Sequence, residues 1–106
     1  MPIGNLTAKQ LKARLDAKES FVLVDVREPW EHQTARIEGA KLIPLNTLPE
    51  KLGELPKDQE IVFMCKMGGR SLRACQFAEQ QGYRVTNLQG GILAWSAEVD
   101  PKVPQY

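Results

Sequence analysis

Two apolar runs constrain this chain more than any other feature: FVLVDV at 21–26, broken only by Asp25, and IVFMC at 61–65. A strand with one wet face alternates apolar and polar residues. Runs without alternation therefore predict strands covered on both faces, as in a parallel sheet. YRVTNL at 83–88 is a weaker third strand and AKLIPL at 40–45 a short fourth. Helical patterns separate them. In LTAKQLKARLDAK, Thr7 and Gln10 have the spacing of a capping box, Leu6 and Leu11 occupy staple positions, and Leu11 and Leu15 share a face with Ala8. Thr47 is placed to cap a short stretch carrying Leu48, Leu52 and Leu55. The spacing predicts a further helix over 71–81, with Ala74, Cys75 and Ala78 on one face and Gly82 as its stop. Such alternation predicts an α/β domain with a mainly parallel sheet, right-handed crossovers and ligands beyond the carboxyl ends of the strands.

The chain has 106 residues, 25% of them charged, which suits one globular domain without metal or disulfide staples. We read a single domain over 1–106, with a core at about 6–97 and a short tail at 98–106. A formal charge of +1 supplies no whole-molecule field for nucleic acid or an acidic membrane. No stretch approaches the ~18 apolar residues of a membrane span, and MPIGNLTAKQ lacks a basic segment followed by an apolar core. The expected setting is cytoplasmic, with neither nucleic acid nor membrane as partner. Cys65 and Cys75 are too few for a disulfide framework, and one histidine without a CxxC pair does not make a standard zinc site. Reduced thiols are expected, with no metal and no organic cofactor.

The segment CKMGGRS follows the second apolar run, and DVREPWEH follows the first, so both loops fall on the same rim of the predicted sheet. Between Cys65 and Ser71 the chain must reverse within Lys66, Met67, Gly68, Gly69 and Arg70. Gly68 and Gly69 supply backbone freedom, and successive amides in such a turn form a nest in front of the helix that follows. A thiolate there is stabilised, since helix N-termini and nearby cations lower a cysteine pKa from about 8.5 to roughly 3.5–7.5. Arg70 brings a permanent charge and planar paired donors suited to an oxyanion beside the sulfur. Cys65 is thus the candidate nucleophile, and 66–71 the candidate binding loop. Ser71 is read chiefly as a helix cap. Cys75 and Trp95 are read as core residues, His32 as a partly exposed loop histidine without a positioning partner, and Trp30 as either a shield at the pocket mouth or a packing residue.

CKMGGRS resembles the active-site loop of rhodanese-like sulfurtransferases. DVREPWEHQTARIEGAKLIPL is similar to their first signature, with Ala35-Arg36 in place of the usual Gly-His before Ile37, and LQGGILAW resembles their closing motif. The resemblance implies about five parallel strands flanked by helices on both faces, and Cys65 as the sulfur acceptor. It also implies that Asp25 and Arg27 brace the site. Sulfurtransferases of this family have six residues from cysteine through arginine, the count from Cys65 to Arg70, whereas related phosphatases have one more. The shorter loop favours a donor of sulfane sulfur, thiosulfate or a protein persulfide, over a phosphoryl substrate. The ending AWSAEVDPKVPQY looks similar to that of rhodanese domains fused to activating enzymes of sulfur-carrier proteins, so a sulfur-relay role serving such a carrier is the alternative expectation.

Overall fold

The computed structural model describes residues 3–105. Five strands, all parallel, stand in the order β1-β5-β4-β2-β3. β2 (Val22–Asp25), β4 (Ile61–Met64) and β5 (Val85–Leu88) form the middle, with β1 (Gly4–Leu6) and β3 (Lys41–Leu42) at the edges. The register pairs Asp25 with Met64 and Phe63 with Asn87, so the chain leaves the three central strands along one rim.

The apolar runs resolve into two interleaved sets, because successive side chains of a strand point to opposite faces. Leu23, Val62, Met64 and Leu88 meet Leu11 of α1 (Ala8–Asp16) and Ile92 and Trp95 of α5 (Gly91–Glu98). Val24, Ile61, Phe63 and Val85 meet Leu48 of α3 (Leu48–Lys51) and Ala74, Cys75 and Ala78 of α4 (Gly69–Gln80). Each buried aliphatic side chain contributes roughly 1.5–3 kcal/mol relative to exposure, so β2 and β4 need helices on both sides. The flanking of the sheet on both faces follows from that requirement.

α1 begins with the expected capping box: the Gln10 amide donates to Thr7 Oγ1 at 3.1 Å and the Thr7 amide to Gln10 Oε1 at 2.9 Å. Leu6 and Leu11 are buried in the same core. Thr47 stands at the N-cap position of α3 as expected, but its side chain makes no cap hydrogen bond there. It closes a 3-10 turn at Leu45–Thr47, and its hydroxyl donates to the Pro44 carbonyl at 2.8 Å. α4 begins at Gly69, ahead of the expected 71, because left-handed Gly68 already serves as its cap (φ 110°). At its far end Gly82 turns left-handed (φ 90°), and the Tyr83 amide returns to the Ala78 carbonyl at 3.1 Å.

Two elements differ from expectation. Gly4–Leu6 pairs with β5 as an edge strand, and a short helix, α2 (Pro29–Thr34), begins within DVREPWEH. The segment after α5 is not loose: Val99 and Val103 pack against the second core, and the Ser96 hydroxyl donates to the Val103 carbonyl. No helix among the described residues is long and apolar enough to cross a membrane.

Candidate active site

β4 delivers Cys65 to the rim, and Lys66, Met67 and Gly68 fold back over it. The Gly68 amide donates to Cys65 Sγ at 3.0 Å, and Ser71 Oγ lies 3.4 Å from the same sulfur. Cys65 is 1% exposed, but its sulfur is turned to this loop. Burial pushes the thiol up. Against it, the Ser71 hydroxyl and the amides of Ser71, Gly68 and Met67 favour the thiolate and together prevail, so the Cys65 pKa lies below its ordinary value. Cys75 has no such donors. Buried in the adjacent core, its thiol is pushed up to about 12 by desolvation alone.

The loop is pinned from behind by the start of α5. The Ile92 amide donates to the Cys65 carbonyl at 2.9 Å and the Leu93 amide to the Lys66 carbonyl at 3.2 Å. Gly91 makes this approach possible. At φ 56°, a Cβ on it would lie 2.4 Å from both carbonyl oxygens. Asn87, from the end of β5, braces the other side: its Nδ2 donates to the Gly68 carbonyl at 3.3 Å and its Oδ1 accepts the Ser71 hydroxyl.

Asp25 and Arg27 form a fully buried pair beside the loop. Arg27 Nε lies 2.9 Å from Asp25 Oδ1 and Nη2 lies 2.7 Å from Oδ2, while Nη2 also donates to the Ala35 carbonyl. Ala35 stands where the resembling motif has glycine, and its extended backbone (φ −153°, ψ 130°) suits any residue. His32 differs from expectation. It lies on α2 with Nδ1 2.9 Å from Asp25 Oδ2, and so has a positioning partner.

Arg70 faces a carboxylate. Its Nη1 and Nη2 reach Glu31 Oε1 at 2.7 Å and Oε2 at 3.0 Å. Hydrogen bonds from Arg70 hold the Glu31 carboxyl below the usual range despite burial, and Glu31 raises Arg70 in return. Both terminal nitrogens of Arg70 are therefore engaged with Glu31. Lys66 and Arg73 have no ion-pair partner among the described residues. Arg70 and Arg73 border a surface groove of about 350 Å3 with Val26, Glu28, Leu45 and Asn46. Among the described residues Met67, at the loop tip, and Trp30, on α2, are the most exposed large apolar side chains (69% and 60%), and Trp95 is buried. Trp30 thus does not pack into a core.

The structure brings Cys65, the loop through Ser71, Asp25 and Arg27 together, and adds Glu31, Asn87 and Gly91. Glu31 carried a signal: Glu28-Pro29-Trp30-Glu31 has capping-box spacing with proline at the first helical position. Asn87 carried a fainter one, a polar residue inside a strand that reads as buried. Chemically, the arrangement presents an ionisable sulfur to a row of fixed N–H donors, which suits holding negative charge on or beside that sulfur. Among the described residues, no cluster of His, Cys, Asp or Glu could hold a metal ion.

The Allochromatium vinosum protein "Sulfurtransferase" is 40% identical over 95 residues, covering 89% of each chain. The Zea mays "Adenylyltransferase and sulfurtransferase MOCS3-2" is 33% identical over 111 residues, covering 97% of this chain and 23% of that longer protein. Among solved structures, the Staphylococcus aureus "Rhodanese-like Domain Protein" superposes with a TM-score of 0.86 at 30% identity, covering 98% of this chain and 99% of the other. The family described as "Rhodanese-like domain" matches residues 7–98, a span that begins at the Thr7 cap and includes Asp25, Arg27, the cysteine loop and α5. The chain belongs to the rhodanese-like domain family.

Proposed function

We propose that the protein is a sulfurtransferase in which Cys65 accepts a sulfane sulfur and passes it on. The observation that carries this reading is the Gly68 amide aimed at Cys65 Sγ at 3.0 Å, with Ser71 on the same sulfur. With thiosulfate as donor, the Cys65 thiolate attacks the outer sulfur. The S–S bond of thiosulfate breaks, its electron pair leaves with sulfite, and Cys65 becomes a persulfide anion. Loop amides of 66–71 then stabilise the terminal sulfur as an oxyanion hole stabilises oxygen. Cyanide or a thiolate attacks that sulfur, taking it as thiocyanate or a new persulfide and returning the Cys65 thiolate. Charge balances at each step. Lys66 and Arg70 draw the anionic donor to the rim, and Asp25 and Arg27 hold the wall.

Intact mass tests the first half-reaction. Thiosulfate adds one sulfur, about 32 Da, to the wild type and none to Cys65→Ser. An unmodified wild type with both thiosulfate and a low-molecular-weight persulfide would remove the proposal. A relay role, taking sulfur from one protein and giving it to another, is favoured by the likeness to MOCS3-2, whose name joins adenylyltransferase and sulfurtransferase. Labelled sulfur on Cys65 that moves to a sulfur-carrier protein faster than to cyanide would select the relay.

A further inference from the structure

The Ser71 hydroxyl has one proton and two claimants. Its oxygen lies 3.4 Å from Cys65 Sγ, and it donates to Asn87 Oδ1. Asn87 is held in that orientation, because Nδ2 donates to the Gly68 carbonyl at 3.3 Å, and a reversed amide would set Oδ1 against that carbonyl. The Gly68 carbonyl itself is fixed as an acceptor of the Leu72 amide at 3.1 Å. Cys65, Ser71 and Asn87 are 1%, 0% and 7% exposed, so water does not readily replace a missing partner.

The chain of donors therefore has a direction: Asn87 to Gly68, Ser71 to Asn87, and Cys65 S–H to Ser71. That order suits a neutral thiol. When Cys65 releases its proton to solvent, the Ser71 oxygen presents a lone pair to a negative sulfur unless the hydroxyl turns to Cys65 and abandons Asn87 Oδ1. Once a persulfide forms, the charge resides on the outer sulfur and the original order returns.

We propose that Asn87 is a positioning residue that tunes the acidity of Cys65 by competing with its thiolate for the single proton of Ser71. Asn87 thereby favours the resting thiol and the persulfide over the bare thiolate. The consequence for turnover rests on the sulfur-transfer reading; the titration does not. The charged and titratable groups near the sulfur are Arg70 from α4, Glu31 from α2 that clamps it, Asp25 and Arg27 at the end of β2, His32 of α2 on Asp25, and Lys66 in the loop. α5 contributes backbone amides and no charged side chain to the contact. None of these groups changes in the variants below.

The test titrates Cys65 by thiolate ultraviolet absorbance and alkylation rate in a Cys75→Ala background. It compares otherwise wild-type protein with Asn87→Ala, Ser71→Ala and the double variant. Asn87→Ala lowers the apparent pKa by about 1, roughly tenfold more thiolate at any pH well below it. Ser71→Ala raises the pKa, and adding Asn87→Ala to it produces no further fall. Because both Asn87→Ala proteins lose the contact to Gly68, the difference isolates the hydroxyl. Asn87→Leu, close in volume but without an acceptor, repeats the comparison if the alanine variant does not fold. An unchanged or raised pKa on loss of Asn87, or an equal fall with and without Ser71, overturns the proposal. A fall confined to the Ser71 background supports it even if no variant takes sulfur from thiosulfate, a result that would remove the sulfur-transfer reading alone.

Discussion

The charge on Cys65 is set by residues that have no charge of their own. Gly68 contributes an amide, Ser71 a hydroxyl and Met67 another amide, and each favours the thiolate against the burial that opposes it. For an acid whose folded pKa is lowered, the ionised form persists to lower pH and is lost only as pH falls through that value. Alkylation of Cys65 should therefore reach half its maximal rate below the ~8.5 of an ordinary thiol, and Ser71→Ala should move the midpoint upward. Cys75, pushed up to about 12, stays silent, so native protein takes one equivalent of iodoacetamide and Cys65→Ser takes none. Labelling of Cys75 in the folded protein would show that its core opens. Asp25 and Arg27 obey the opposite logic, because both are charged and fully buried. Asp25→Ala strands the guanidinium and should cost about 3–5 kcal/mol in urea unfolding, whereas replacing both residues by apolar ones should cost much less.

At the scale of elements, the cysteine loop is a joint between three pieces of chain that meet at the rim. β4 ends in Cys65, α4 begins under Gly68, and the first amides of α5 hold the carbonyls of Cys65 and Lys66. Gly91→Ala would place a methyl 2.4 Å from two carbonyl oxygens at φ 56°, so the loop must shift. We expect sulfur transfer to fall at least tenfold and stability to fall by about 1–3 kcal/mol. Gly53→Ala, with no atom within 4 Å of the added carbon, should change neither by more than about 0.5 kcal/mol. Equal behaviour of the two variants in activity assays would rule out the pinning role. β2 and β4 were legible because burial on two faces writes itself as an apolar run without alternation, β5 less so because Thr86 and Asn87 interrupt it, and Cys65 because glycines, arginine and a helix start follow it in order. β1 was not, since Gly-Asn-Leu has no apolar run and takes its strand character from pairing with β5. Six-residue α2 is too short for a periodic face, and Glu31 and Asn87 act on partners far along the chain, at Arg70 and at Gly68 and Ser71. Spacing reads what is local, and these contacts depend on the register of the sheet.

Across the whole molecule, one rim carries the cysteine loop and a separate network ties α1 to the sheet. Arg14, in the last turn of α1, holds Glu19 with Nε at 2.8 Å, lies 4.7 Å over the Phe21 ring, and pairs with Glu60 just ahead of β4. Glu60 also accepts the Thr86 hydroxyl from β5. The Arg14 hydrogen bonds hold the Glu60 carboxyl below its usual range in spite of burial. A carboxyl with a lowered folded pKa stabilises the protein fully above its unfolded value and loses that contribution as pH falls through the folded one. Urea midpoints of the wild type should therefore decline as pH falls through and below the ordinary carboxylate range, and Glu60→Gln should start lower at neutral pH and decline less steeply. Because this network shares no partner with the loop, Glu60→Gln should leave the Cys65 alkylation profile unchanged, and its stability cost should add to that of Ser71→Ala within about 0.5 kcal/mol. A parallel acid decline in Glu60→Gln would locate the titrating group elsewhere, and a moved Cys65 midpoint would mean that strain passes through β4 from one group of contacts to the other.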